Sequence, residues 1–162
     1  MPDREPKTFH RESISVEALI ETIQRVANVP VEPVNTVDAE ERLVTEPNLH
    51  RPGLALAGYT DLFTYQRIQI LGNTENQYLK HLEAKDQVRA FSNLLQFPIP
   101  CIILAGSNTL ASELIAQATE VGVPIYRSEL PSTQLMARLS DFLDDQFARL
   151  YEAEDRLIDE GA

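Results

Sequence analysis

Apolar positions recur at helical spacing from Val16 onward. Leu19, Ile20, Ile23 and Val26 continue the stripe, the repeat of an amphipathic helix. Ser15 stands where its hydroxyl can cap an unpaired N–H of the first turn, and Pro30 lies beyond the end of the pattern. Two short extended segments follow, 31–35 and 42–45, the second closed by Pro47. Arg67 to Leu71 (RIQIL) alternates polar and apolar, predicting a half-buried strand stopped by Gly72. Thr74 and Gln77 have capping-box spacing, so a short helix is predicted there. A further helix is predicted over 84–97, ended by Pro98.

The stretch 101–105 (CIILA) is short, nearly all apolar and partly β-branched. That suits a central strand buried on both faces. Gly106 turns the chain, and Asn108 or Thr109 can cap a helix bearing Leu110, Leu114, Ile115, Ala118 and Val121. Gly122 is placed as its C′ residue. A strand over 123–126 comes next. A long helix from about Ser132 carries Leu135, Met136, Leu139, Phe142, Leu143 and Leu150 on its apolar side. Strand and helix thus alternate with short connections, which implies right-handed crossovers and a mostly parallel sheet. The predicted fold is α/β: a three-layer α/β/α sandwich with a small sheet, to whose edge the extended pair before Pro47 adds.

Composition narrows the partners. The 162 residues are 43% apolar and 24% charged, enough for one domain with its own core. The net charge of −11 repels a phosphate backbone and an anionic bilayer, which argues against nucleic acid and membrane as partners. The polar opening MPDREPKTFHRE is no signal peptide. Together with a single cysteine, Cys101, it points to the cytoplasm. Residues 1–12 are expected to be a flexible N-terminus.

One stretch imitates a nucleotide-binding motif. In RPGLALAGYT (51–60), Gly53, Gly58 and Thr60 have the spacing of G-x-x-x-x-G-K-[ST], but Tyr59 stands where the lysine belongs. A phenol cannot supply the positive charge that reaches the β and γ phosphates. Leu54, Ala55, Leu56 and Ala57 are helix formers between a proline start and a glycine stop. The prediction is a short buried helix packed on the sheet, with Pro52 in its first position.

The wider segment EERLVTEPNLHRPGLALAGYTDLFTYQRIQILGNTE resembles the N-terminal domain of bacterial HPr kinase/phosphorylase. The matching elements are Arg-Pro-Gly-Leu at 51–54, Ala-Gly-Tyr at 57–59 and Arg-Ile-Gln-Ile-Leu-Gly at 67–72. FPIPCIIL (97–104), GVPIYRSELPST (122–133) and ARLSDFLDDQFA (137–148) continue the resemblance in order. It covers roughly 13–148, and 149–162 reads as an acidic helical tail departing from the family. The resemblance implies the non-catalytic half of a kinase whose chemistry resides in a following domain with an intact Walker loop. None of the six glycines here is followed by Lys-Ser or Lys-Thr. An enzyme is therefore not expected, although a serine kinase/phosphorylase label could attach through the family name. Either the chain is a stand-alone relative or it is a piece of a longer protein, and Met1 with the divergent tail favours the first.

No catalytic constellation assembles. His10, His50 and His81 lack metal-ligand spacing to one another or to Cys101. Cys101 reads as inert filler in a strand, and Asp144 and Asp145 fall on different helix faces. No metal or cofactor is expected. The carboxyl ends of the predicted strands carry Asn73, Ser107, Asn108, Ser132 and Thr133, where α/β sheets bind ligands. Arg51 can approach from the preceding loop, and the helix N-termini offer N–H groups to an anion. At the level of fold this resembles the nucleotide-sugar-binding N-terminal domains of Mur ligases. The same residue types also serve as plain caps.

Two functions follow. The first is a regulatory or interaction module, linked by the resemblance to phosphotransfer signalling and carbon-metabolism regulation, acting through a protein partner or self-association. The alternative is a sensor of a phosphometabolite or nucleotide. Self-association has a specific candidate. Met136, Leu139, Leu143, Leu150, Ala153 and Leu157 keep a nearly heptad spacing beside acidic faces.

Overall fold

A computed structural model describes residues 13–161, with side chains for 13–152. The expected flexible segment 1–12 lies outside the described residues. The central sheet has five strands, in spatial order β2–β7–β6–β5–β4. β4 (Leu49–His50), β5 (Ile68–Leu71), β6 (Ile102–Leu104) and β7 (Ile125–Arg127) run parallel, and β2 (Glu32–Pro33) joins β7 antiparallel. β1 (Ile14–Ser15) and β3 (Leu43–Val44) form a separate antiparallel pair. Of the two extended segments before Pro47, only the first therefore reaches the main sheet.

The parallel strands are adjacent in chain order, so crossovers of one hand put their helices on one face. That face holds α2 (Gly53–Leu56), α3 (Asn73–His81), α4 (Ala84–Leu95) and α5 (Ser112–Glu120). Their apolar sides bury Leu56, Leu79, Phe91, Leu94 and Leu114 against Leu71, Ile102, Leu104 and Ile125. The opposite face carries α1 (Val16–Val26) and α6 (Ser132–Gly161), which cover Ile68, Ile70, Ile103 and Tyr126. Strand alternation decides which residue serves which layer. The register aligns Ile70, Ile103 and Tyr126 in one row and Gln69, Ile102 and Ile125 in the next. Among the described residues no helix is long and apolar enough to cross a membrane.

Several helix ends follow the residue chemistry. Ser15 Oγ accepts from Ala18 N–H at 3.1 Å. Asn28 takes φ +57° after α1, and Val29 N–H closes on Ile23 C=O, a left-handed stop. Gly122 takes φ +79° just past α5, as expected.

Other expectations need correction. β5 is buried on both faces: Gln69, the polar half of the alternation, is fully enclosed and donates to Thr64 C=O and Arg67 C=O. α3 begins two residues early, because Glu75, not Thr74, caps it: the carboxylate accepts Gly72 N–H at 2.8 Å. Asn108 and Thr109 do not cap α5, which starts at Ser112 after Ala111 without a side-chain cap. Asn108 instead closes the preceding turn, donating to Ala105 C=O. Val26, at the end of the α1 stripe, is 63% exposed.

The apolar seam of α6 is used within the domain. Leu135, Leu139, Phe142, Leu143 and Phe147 are buried, and Met136 and Leu150 pack on the same core. Leu150 thus packs on the domain, and the heptad from Met136 to Leu150 is not free for a partner helix. The side chains of Ala153 and Leu157 lie outside those described.

Candidate functional site

The near-Walker stretch is a helix. Leu56, Ala57 and Gly58 N–H groups bond back to Pro52, Gly53 and Ala55 carbonyls, so they cannot turn toward a phosphate. Pro52 occupies the N-cap rather than the first helical position. Ala55 and Leu56 face the core, packed mainly against α4, while Leu54 is exposed. The helix is therefore half-buried. Gly58 sits at φ +105°, a backbone conformation that a Cβ strains. Gly58→Ala is expected to destabilise the fold by about 1 kcal/mol or more in urea unfolding. An unchanged midpoint contradicts this role.

Arg51 arrives at the carboxyl end of the sheet, directly after β4. It does not wait there for an anion. Its Nε and Nη2 donate to the two oxygens of Glu75 at 3.0 and 2.8 Å, a bidentate pair. The Glu75 side chain is only 4% exposed and that of Arg51 33%. Nη1 reaches toward Ser132 Oγ at 3.5 Å. Gly72 is needed where these groups converge: a Cβ there meets Arg51 Nη2 at 2.8 Å and Ser132 Cβ at 3.1 Å. The start of α3 thus already holds a carboxylate from its own chain, the position that a helix N-terminus also offers to a ligand anion.

Of the six predicted site residues, Arg51 and Ser132 meet here. Asn73 and Asn108 meet next door, Asn108 Nδ2 donating to Asn73 Oδ1 at 2.9 Å. Thr133 is exposed in the first turn of α6. Ser107 stands apart at φ +60°, beside Gly106 at +64°. Their N–H groups are engaged, Gly106 with Leu130 C=O at 2.7 Å and Ser107 with Ser128 C=O at 2.9 Å. These bonds stitch together the loops that leave β6 and β7. α5 and α6 lie on opposite faces, so this is the crevice where a doubly wound sheet offers a site.

Glu75 went unrecognised in the sequence. Its signal was the spacing Gly72-x-x-Glu75 right after a strand, a half capping box made by the acid alone. Arg127 ties into the same loops. Its Nε donates to Asn108 C=O at 3.0 Å, and Nη1 pairs with Glu32 at 3.2 Å.

The remaining titratable groups build no reaction centre among the described residues. His50 packs against Phe63 with ring centroids 5.5 Å apart. Burial and the nearby Arg67 charge lower its pKa, against an upward pull from Glu75. Burial pushes the Cys101 thiol up to about 12, consistent with inert filler. Asp144 and Asp145 are exposed, and Asp145 pairs with Arg149. Glu17, Asp38 and Glu40 bring their carboxylates within 4.8 Å of one another on the surface, an arrangement that exposed acids adopt without an ion. A cavity of about 610 Å³ lies around Arg42 at the amino ends of the strands. That guanidinium is committed to Ile99 C=O and Val121 C=O.

A five-stranded, mostly parallel sheet between two helix layers defines a three-layer α/β/α domain. A solved structure shares this fold: the CBS and DRTGG domains of the regulatory region of Clostridium perfringens pyrophosphatase, complexed with its activator diadenosine tetraphosphate. It matches with a TM-score of 0.53 and 13% identity over 78% of this chain and 46% of that one. The family model described as HPr Serine kinase N terminus matches residues 14–143, and the chain belongs to that family. The HPr kinase/phosphorylase of Prosthecochloris aestuarii is 44% identical over 153 residues, 94% of this chain and 45% of that protein. The homologue from Chloroherpeton thalassium is 40% identical over 157 residues, 97% of this chain and 46% of that protein. The chain thus spans about half the length of the curated relatives it matches. The family model ends at residue 143, while the pairwise match to the Chloroherpeton thalassium protein runs past Ala148.

Proposed function

We propose that the chain is a non-catalytic regulatory and interaction module of the phosphotransfer system that HPr kinase/phosphorylases serve. The observation that carries this reading is the family match over 14–143 in a chain without any Gly-Lys-Ser or Gly-Lys-Thr. The exposed side chains of Leu54, Tyr59 and Leu62, close together in the chain, give it apolar contact residues for a protein partner. The sensor alternative is less well supported in its phosphate form. Arg51 is the cation best placed for it, and Glu75 already occupies that guanidinium.

Incubated with HPr and labelled ATP or pyrophosphate, the purified chain is expected to transfer no label. Label appearing on HPr, and lost when HPr is omitted, overturns the non-catalytic reading.

A further inference from the structure

The open part of the β6–β7 crevice is a polar cavity of about 320 Å³, near the lower end of pockets that hold small molecules. Ser107, Arg127, Glu32 and Glu129 line it, with Pro30 and Val31 as its apolar side. Its charges are of both signs: one guanidinium and two carboxylates. Arg127 keeps its Nη2 N–H groups uncommitted among the described residues, because only Nε and Nη1 are engaged. Its partner Glu32 is 67% exposed, so a ligand carboxylate can compete for the cation. The exposed hydroxyl of Ser107 offers a second donor, on a residue held in the left-handed region, where natural backbones place strain at sites of function.

A phosphate dianion fits this cavity poorly, since both carboxylates repel it. A group carrying both signs fits well. We infer that the cavity binds a small zwitterion of the α-amino-acid class. Its carboxylate lies on Arg127 and Ser107, and its ammonium lies on Glu32 and Glu129. This goes beyond the interaction reading, and its failure leaves that reading untouched.

The test is a titration of the full ¹⁵N-labelled chain, followed at the amides of Ser107, Arg127 and Glu129. L-alanine and L-leucine are added to about 20 mM, where a dissociation constant of about 1 mM still saturates. Propionate lacks the ammonium, propylamine lacks the carboxylate, and inorganic phosphate is a plain anion. Both amino acids are expected to shift these amides saturably, and the three controls to bind at least about tenfold more weakly. Glu129 makes no side-chain hydrogen bond among the described residues, so Glu129→Gln keeps the fold and is expected to weaken amino-acid binding about tenfold. Three results overturn the assignment: no saturable shift with either amino acid, propionate or phosphate binding as tightly as they do, or Glu129→Gln leaving the affinity unchanged.

Discussion

Replacing Glu75 by alanine is expected to destabilise the domain by about 2 to 3 kcal/mol, read as a lower urea midpoint at unchanged slope. The carboxylate accepts two bonds from Arg51 and one from Gly72 N–H, and it is almost fully enclosed. Its removal leaves a guanidinium without its partner and the start of α3 without its cap. Arg51 is one-third exposed, so water recovers part of the loss and the effect falls below that of a fully buried pair. Arg51→Met should do comparable harm from the other side, by leaving the carboxylate with Gly72 alone. The double variant Arg51→Met/Glu75→Leu removes both charges and is expected to lose clearly less than the sum of the single losses. A coupling of at least about 1 kcal/mol is the signature of an interacting pair. Strict additivity of the single losses contradicts the assignment.

This pair also marks how far the sequence was legible. The strand at 102–104 stood out as a short apolar run, that at 68–71 by its alternation, and α1 and α6 by their periodicity. β1 and β4, two residues each, escaped notice. The carboxyl ends of the strands were recognisable because Gly72, Gly106 and Asn108 are turn formers there. What those residues touch was not. An acid in the first turn of a helix reads as solvated, yet the chain folds Arg51 over Glu75 from 24 positions away. Likewise Glu32 meets Arg127 only because β2 pairs antiparallel with β7. Such partnerships are set by topology, which local spacing does not encode. The apolar seam of α6 misled for the same reason: a heptad looks alike whether it faces another helix or its own sheet.

Phe91→Ala is expected to have the largest single effect, about 3 to 5 kcal/mol, because it empties a fully buried aromatic site. In a domain of this size that lowers the melting temperature by about 10 °C or more. Phe91 lies in the layer between α2–α5 and the sheet, among residues that include Leu71, Ile102 and Leu104. Leu143 lies in the other layer, under α6, with Ile70, Ile103 and Tyr126. Leu143→Ala is expected to destabilise by about 2 to 5 kcal/mol. The two layers share one thin sheet, and neighbouring residues of β6 point alternately into one and the other: Ile102 and Leu104 to the first, Ile103 to the second. Neither layer can lose its packing while the strands stay in register for the other. Each variant should therefore unfold in a single transition, with circular dichroism and tyrosine fluorescence coinciding. Two separated transitions in either variant mean that the faces unfold independently, and that the sheet does not transmit the loss from one layer to the other.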